Sequence, residues 1–231
     1  MHYKDWEPIY KKIAEDFKYP LEKEVRSAEV LNKLIKNDKS SVFNKLKCLI
    51  NDNHVVVFGA GPSLDISLQK HKKYYYDKIK IVADGATTAL LKCGVQPDII
   101  VTDLDGKISD QINANRNGSV AVLHAHGDNM LKIKRFTKKF QNNVIGTVQI
   151  NPGPFKNLYN FGGFTDGDRA IFIADHFQAK TISLMGFDLN SKIGNYSCIE
   201  EKDISQKIKK LKWCEYLIEL LKNKNHNIYY C

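Results

Sequence analysis

The sequence predicts an α/β fold, a doubly wound, mostly parallel sheet in a three-layer αβα sandwich with a helical N-terminal extension. Three observations predict it. From His54 onward, short β-branched runs alternate with amphipathic stretches; the segment before them carries apolar positions at helical spacing; and no flexible linker divides the 231 residues. Residues 1–52 are read as the helical extension packed on the core, and residues 53–231 as the α/β catalytic domain.

In the extension, Val25, Ala28, Leu31, Leu34 and Ile35 recur at helical spacing, and Pro20 breaks the run before them. Strands are predicted at Val55–Phe58, Ile79–Ala83, Asp98–Thr102, Val120–His124, Val144–Ile150, Thr181–Met185 and Asn227–Tyr230. Between them, helices are expected near Ser63–His71, Thr87–Lys92, Lys107–Asn115, Asn129–Phe140, Asp166–Phe177 and, as a long basic helix, Ile204–Lys222.

Composition narrows the classes of function. The first residues, Met1-His2-Tyr3-Lys4-Asp5-Trp6, bear charges where a signal peptide needs an apolar region, and no apolar run approaches the roughly 20 residues that cross a bilayer. Five scattered cysteines with no Cys-x-x-Cys pair fit reduced thiols and a cytoplasmic protein. The formal charge of +9 raises nucleic-acid binding, but only Arg26, Arg116, Arg135 and Arg169 are arginine. Lysine mostly solvates surfaces, whereas guanidinium forks read phosphates and guanines, so no specific nucleic-acid partner and no membrane partner is expected. Tyr74-Tyr75-Tyr76 beside Lys72 and Lys73 is the one aromatic–basic cluster, and a helix end or an interface accounts for it more simply.

In an open parallel sheet, ligands bind beyond the carboxyl ends of the strands. The first strand leads into Gly59-Ala60-Gly61-Pro62-Ser63-Leu64, where Pro62 suits a first helical position and the turn leaves backbone N–H groups for an anion; packing alone also produces such turns. The second strand ends in Ala83-Asp84-Gly85-Ala86, in which Asp84 suits a cap as well as a site. The third ends in Thr102-Asp103-Leu104-Asp105-Gly106. Carboxylates two residues apart project to one side and repel unless a cation lies between them, and hard oxygen ligands suit Mg²⁺.

The fourth strand runs into His124-Ala125-His126-Gly127-Asp128-Asn129, a polar cluster suited to phosphate contact or proton movement. Further on, Phe164-Thr165-Asp166-Gly167-Asp168-Arg169 opens an apolar helix. Thr165 is a plausible N-cap and the aspartates suit the helix dipole, but Arg169 in that first turn opposes the dipole and reads as a fork for a phosphate. Gly186-Phe187-Asp188 after the sixth strand adds one more carboxylate to the same edge.

At these motifs, spanning residues 59 to 188, the sequence resembles the archaeal 6-hydroxymethyl-7,8-dihydropterin pyrophosphokinases, often called MptE-like and akin to thiamin pyrophosphokinases. The resemblance implies transfer of pyrophosphate from ATP to the hydroxymethyl group of a reduced pterin, giving AMP, in tetrahydromethanopterin or folate biosynthesis. Combined with the residues, it assigns Asp103 and Asp105 to Mg²⁺ with Asp84 as a third ligand or supporting group. It gives the glycine loop to a phosphate or ribose, Arg169 to the β- and γ-phosphates, and His124 or His126 to phosphate contact or proton removal. Asn129, Asp166, Asp168 and Asp188 are candidates for the pterin. A nucleotide-sugar transferase, through a distant likeness to glycosyltransferase-like motility accessory proteins, and a non-catalytic nucleotide- or RNA-binding module are the alternatives. The sequence leaves a homodimer open.

Overall fold

A computed structural model describes residues 1–35, 39–141, 143–189, 204–225 and 227–231. Among them, eight parallel strands form one sheet: β1 (His54–Phe58), β2 (Ile79–Ala83), β3 (Ile99–Thr102), β4 (Val120–Ala125), β5 (Val144–Val148), β6 (Leu158–Tyr159), β7 (Thr181–Met185) and β8 (Ile228–Tyr230). Their order is β6-β5-β4-β3-β2-β1-β7-β8, so the direction of winding reverses between β1 and β7. Val55–Phe58 of β1 pair with Ile79–Val82 on one side, and His54–Phe58 pair with Thr181–Met185 on the other.

Both faces are covered, which is why the central strands read as unbroken apolar runs. Alternation along β1 sends Val55 and Val57 into one buried cluster and Val56 and Phe58 into the other. The second cluster lies under α4 (Leu64–Lys70), α5 (Lys72–Tyr75) and α6 (Ala86–Lys92). The first is covered by α1 (Tyr3–Phe17), α2 (Leu21–Leu34), α3 (Lys39–Ile50), α9 (Asp166–His176) and α10 (Ile204–Lys224). Within that layer α9 packs over β1, β2, β3 and β7, and α2 and α3 pack over β4 and β5. α7 (Ile108–Arg116) and α8 (Met130–Phe136), the latter prolonged by a 3-10 turn at Thr137–Lys139, complete the connections.

The N-terminal helices owe their ends to local chemistry. α1 stops where Lys18 adopts φ +54° and its N–H returns to the Ala14 and Glu15 carbonyls. Pro20 then precedes α2, with Glu22 and Glu24 in the first turn where the helix dipole favours them. Trp6, fully buried, donates its indole N–H to the Gln149 carbonyl at 2.9 Å, so α1 is fastened to the loop that leaves β5.

The main strands and long helices agree with the sequence prediction within a few residues, and β6 and α5 are additions. β6 has two residues and α5 has four, lengths at which neighbouring contacts rather than a periodic pattern decide the conformation. The tyrosine cluster divides: Tyr75 is buried with its hydroxyl on the Leu68 carbonyl, Tyr74 reaches Ser183, and Tyr76 is exposed. Cys48, Cys93, Cys214 and Cys231 are free thiols, and Cys198 lies outside the described residues. No described helix is long and apolar enough to cross a membrane.

Candidate active site

The loops after β1, β2, β3, β4 and β7, together with the start of α9, meet at the carboxyl edge of the sheet. Asp84, Asp103 and Asp166 each bring a carboxylate oxygen to a point where the three lie within 4.8 Å of one another. Asp84 follows β2 in a left-handed conformation, φ +32°, which a non-glycine residue adopts only against strain. Its N–H is held by the Val101 carbonyl at 3.0 Å. Asp166 opens α9 and accepts the Asp103 N–H at 3.2 Å, so the two loops are joined through the cluster itself.

This is not the set expected from the sequence. Asp105 points away and pairs with Lys132, and Asp166 takes its place. The two-residue spacing projects to one side only in extended backbone, and the chain turns at the buried Leu104, φ +71°. That turn is built in: Thr102 Oγ1 accepts the Leu104 N–H at 2.8 Å and donates to Gln111, whose amide reaches the Asp105 carbonyl at 2.7 Å.

Crowding three acids has an electrostatic result. Burial, then the Asp166 and Asp103 charges, raises Asp84 well above the usual carboxylate range. Burial and Asp103 push Asp166 up to about 6. Burial pushes Asp103 upward too, but the His126 hydrogen bond outweighs it, with the His126, Arg169 and Lys210 charges, and holds Asp103 at about 2. His126 Nε2 lies 3.2 Å from Asp103 Oδ2, and this partner raises His126 against the opposing effect of burial. Oδ1 of Asp84 and Oδ1 of Asp103 are buried with no hydrogen-bond partner. Buried acceptors of this kind are costly unless something binds them. Hard oxygen donors with uncompensated charge suit a divalent cation such as Mg²⁺, so the residues present fit one.

The other expected site residues divide. Arg169 is 3% exposed and does not offer a free fork: Nη1 holds Asp166 and Nη2 donates to the Phe164 carbonyl at 2.9 Å. Gly163 explains the closeness, since a Cβ there would lie 2.4 Å from Arg169 Cα. Thr165 and Asp168 form a reciprocal capping box at the start of α9, and Asp168, fully buried, receives the Phe164 and Thr165 N–H groups and the Thr165 hydroxyl. Asn129 is likewise buried, linking the Asp103 and His124 carbonyls to the His126 N–H. Neither Asp168 nor Asn129 is placed to grip a ligand, because each already closes a loop.

His124 is 1% exposed, with Nδ1 on Thr147 at 3.1 Å, whereas His126 and the exposed Asp128 stand at the rim. The glycine loop also departs from expectation. The N–H groups of Gly59, Gly61 and Ser63 go to Met185, Gly186 and Asp188 respectively, at 2.8, 2.9 and 2.9 Å, and Leu64 donates back to Gly61. Asp188 also accepts the Ser63 hydroxyl at 2.8 Å. A Cβ on Gly61 would meet Gly186 O at 2.6 Å, so the glycine there serves the close approach of the β1 and β7 loops. Ala60 and Pro62 lie in the same loop, and Gly85 begins α6 beside Gly106.

One contributor escaped the sequence reading. Glu24 of α2 is 3% exposed; Oε1 accepts the Gly127 N–H at 2.9 Å and Oε2 the Gln149 amide at 3.1 Å. A charged residue among the apolar positions of α2 was the available signal. The N-terminal helices therefore brace the loop that carries His126.

Comparison with known proteins identifies the family. The model of the MptE-like 6-hydroxymethylpterin diphosphokinase family matches residues 27–194. A Methanocaldococcus jannaschii protein named 6-hydroxymethyl-7,8-dihydropterin pyrophosphokinase is 44% identical, with 97% of each chain covered. A Pyrococcus furiosus protein of the same name is 44% identical over 96% of this chain and 95% of its own. A third, from Methanothermobacter thermautotrophicus, is 43% identical over 83% of this chain and 81% of its own. The solved structure of a Maf glycosyltransferase from Magnetospirillum magneticum covers 78% of this chain and 29% of that one, at 17% identity and a TM-score of 0.41, a similarity too low to carry an argument. The matched span includes every residue of the aspartate cluster and nearly the whole sheet, and by it the chain belongs to the MptE-like 6-hydroxymethylpterin diphosphokinase family.

Proposed function

We propose that the protein transfers pyrophosphate from ATP to the hydroxymethyl group of 6-hydroxymethyl-7,8-dihydropterin, releasing AMP, with Mg²⁺ held by Asp84, Asp103 and Asp166. The observation that carries the reading is the convergence of these three carboxylates, two with unpartnered buried oxygens, at the carboxyl edge of a sheet that belongs to this family. The names of the three relatives support the substrate and the reaction type. Synthesis of methanopterin or folate is the pathway such a product would enter.

When bound, Mg²⁺ draws charge from the phosphate oxygens as the substrate hydroxyl attacks the β-phosphorus. The chain's own residues prepare that step. His126 keeps Asp103 ionised through the hydrogen bond at 3.2 Å, and Arg169 fixes Asp166 from the buried side, so two acids enter the reaction as ready oxygen donors. Burial, with the Asp166 and Asp103 charges, disfavours a third ionised carboxylate at Asp84, and a divalent cation held by the three would relieve that repulsion. Neither histidine is a free base, since His126 Nε2 faces Asp103 while its Nδ1 accepts the Asp128 N–H, and His124 is buried with Nδ1 on Thr147, so the proton of the attacking hydroxyl passes to water or a phosphate oxygen as the new bond forms. The loops after β1 and β7 are closed on each other through the Gly59, Gly61 and Ser63 N–H groups, so the glycine loop borders the nucleotide at the carboxyl edge rather than cradling its phosphates with those amides.

The test is incubation with MgATP and reduced hydroxymethylpterin, with nucleotide products separated. AMP formed in proportion to pyrophosphorylated pterin is expected. ADP, or nucleotide turnover indifferent to the pterin, would remove the reading.

A further inference from the structure

Arg169, the cation expected for a phosphate chain, is tied to Asp166, and Lys132 beside the cluster is tied to Asp105. A polyphosphate arriving beside three acids needs positive charge from elsewhere. The chain supplies it from α10. This helix is followed by β8, which runs parallel to its neighbours, so α10 descends from the carboxyl edge and its first turns stand at the level of the site.

The face that α10 turns inward is set by Cys214, Leu217, Ile218 and Leu221, all buried. Cys214 lies against Thr165 and Asp168, the cap of α9, and α10 packs along α9. Lys210 precedes Cys214 by one turn and so continues the same face, past the cap and toward Asp166 and Asp103. It is half-buried, and its charge acts on both Asp103 and His126. Among the described residues it has no carboxylate of its own within ion-pair distance.

The neighbouring side chains hold the helix in this rotation. Lys209 binds the Asp16 carboxylate and main chain at 2.6 Å, and the Trp213 indole donates to Asp16 at 2.8 Å. Asp16 adjoins Phe17, whose ring packs 5.2 Å from that of Phe164, the residue whose carbonyl anchors Arg169. The registration of Lys210 over the cluster is thus fixed by bonds that do not involve Lys210.

We propose that Lys210 is the cation that binds the phosphate chain of the nucleotide beside the aspartate cluster. The inference rests on the pyrophosphate-transfer reading above and adds a ligand to it. A lysine suits the task as a compact, mobile point charge that follows the chain as it divides, where an arginine fork would favour one geometry.

The experiment measures binding of inorganic pyrophosphate, and separately of ATP without pterin, by calorimetry in Mg²⁺. Lys210→Met keeps the length of the side chain and removes its charge, and Lys210→Gln is a second variant should the first fold poorly. Lys212→Met removes the same charge from an exposed position two residues on. Loss of a charge-assisted contact weakens affinity by about tenfold to a hundredfold, so that loss is expected in Lys210→Met and Lys210→Gln. Lys210→Arg should recover part of it, Lys212→Met should resemble the wild type, and melting of all apo forms should be unchanged. Equal weakening in Lys210→Met and Lys212→Met would reduce the effect to the general field of the helix and overturn the proposal, as would wild-type affinity in Lys210→Met. If the wild type makes no AMP yet binds pyrophosphate through Lys210, the assignment of Lys210 stands and the pterin reaction falls.

Discussion

At the scale of single residues, the aspartate cluster separates carboxylates that sequence spacing treats alike. Asp103→Asn, Asp84→Asn and Asp166→Asn should each lower turnover by at least about a hundredfold, the scale of a lost electrostatic contact to the transition state. Asp105→Asn should stay within a few-fold of the wild type, because its carboxylate faces Lys132. Steady-state kinetics on the four variants decides it; equal damage from Asp105→Asn would return that residue to the cation. Arg169 carries a different expectation. Buried and bonded to Asp166 and Phe164, it cannot be replaced without leaving both acceptors unpaired, and Arg169→Ala should cost about 3–5 kcal/mol of stability as the breaking of a buried pair does. Chemical denaturation of the apo protein measures this, and undiminished stability would show the guanidinium to be dispensable to the fold. The motifs around both residues were legible in the sequence, since glycine and aspartate after each strand mark the edge where ligands bind. Their partners were not. Asp166 stands 63 residues from Asp103 and meets it only through packing of α9 on β1, β2 and β3, and Asp105 leaves the cluster through one left-handed residue at Leu104.

At the scale of elements, the strands declared themselves because parallel strands covered on both faces must be apolar throughout, whereas β6, with two residues, exists only by pairing with β5. The role of α2 was hidden for another reason: helical periodicity reveals which face is inward but not that Glu24 on that face meets a loop a hundred residues away. Glu24→Ala should release the Gly127 N–H and the Gln149 amide. Each unsatisfied buried group costs about 1–3 kcal/mol, and the loop bearing His126 should become more mobile. Hydrogen exchange at residues 126–128 reads this, and protection as in the wild type would deny the brace. The far end of α9 supplies a pH effect. His176 packs against Phe43, Phe161 and Phe177, and burial, together with the nearby Met1 amino group and His2, pushes its imidazole down to about 4. The unfolded chain, with an ordinary histidine near 6.5, then binds more protons than the folded one between these values, so stability present above about pH 6.5 is lost as pH falls toward 4. His176→Gln should lose less melting temperature than the wild type between pH 7 and pH 5; identical losses would place the acid sensitivity elsewhere.

At the scale of the whole molecule, a divalent cation that relieves repulsion among three acids binds only the folded state and must raise its stability. Added Mg²⁺ should raise the melting temperature of the wild type and not that of Asp103→Asn, and a chelator should reverse the gain; equal shifts in both would mean that the ion binds elsewhere. The net charge of +9 carries a separate expectation: any binding to duplex DNA should be weak and vanish as salt rises, measurable by titration at two ionic strengths. The sheet order has a last consequence, in the timing of synthesis. β1 to β5 lie side by side in the order in which they leave the ribosome, each able to pair with the strand just made, but β1 keeps one edge open until β7 arrives some 127 residues later. For about half of its translation the nascent chain therefore exposes the row of amides and carbonyls along His54–Phe58 that later pairs with β7, and only after Met185 has emerged can that edge be fully closed.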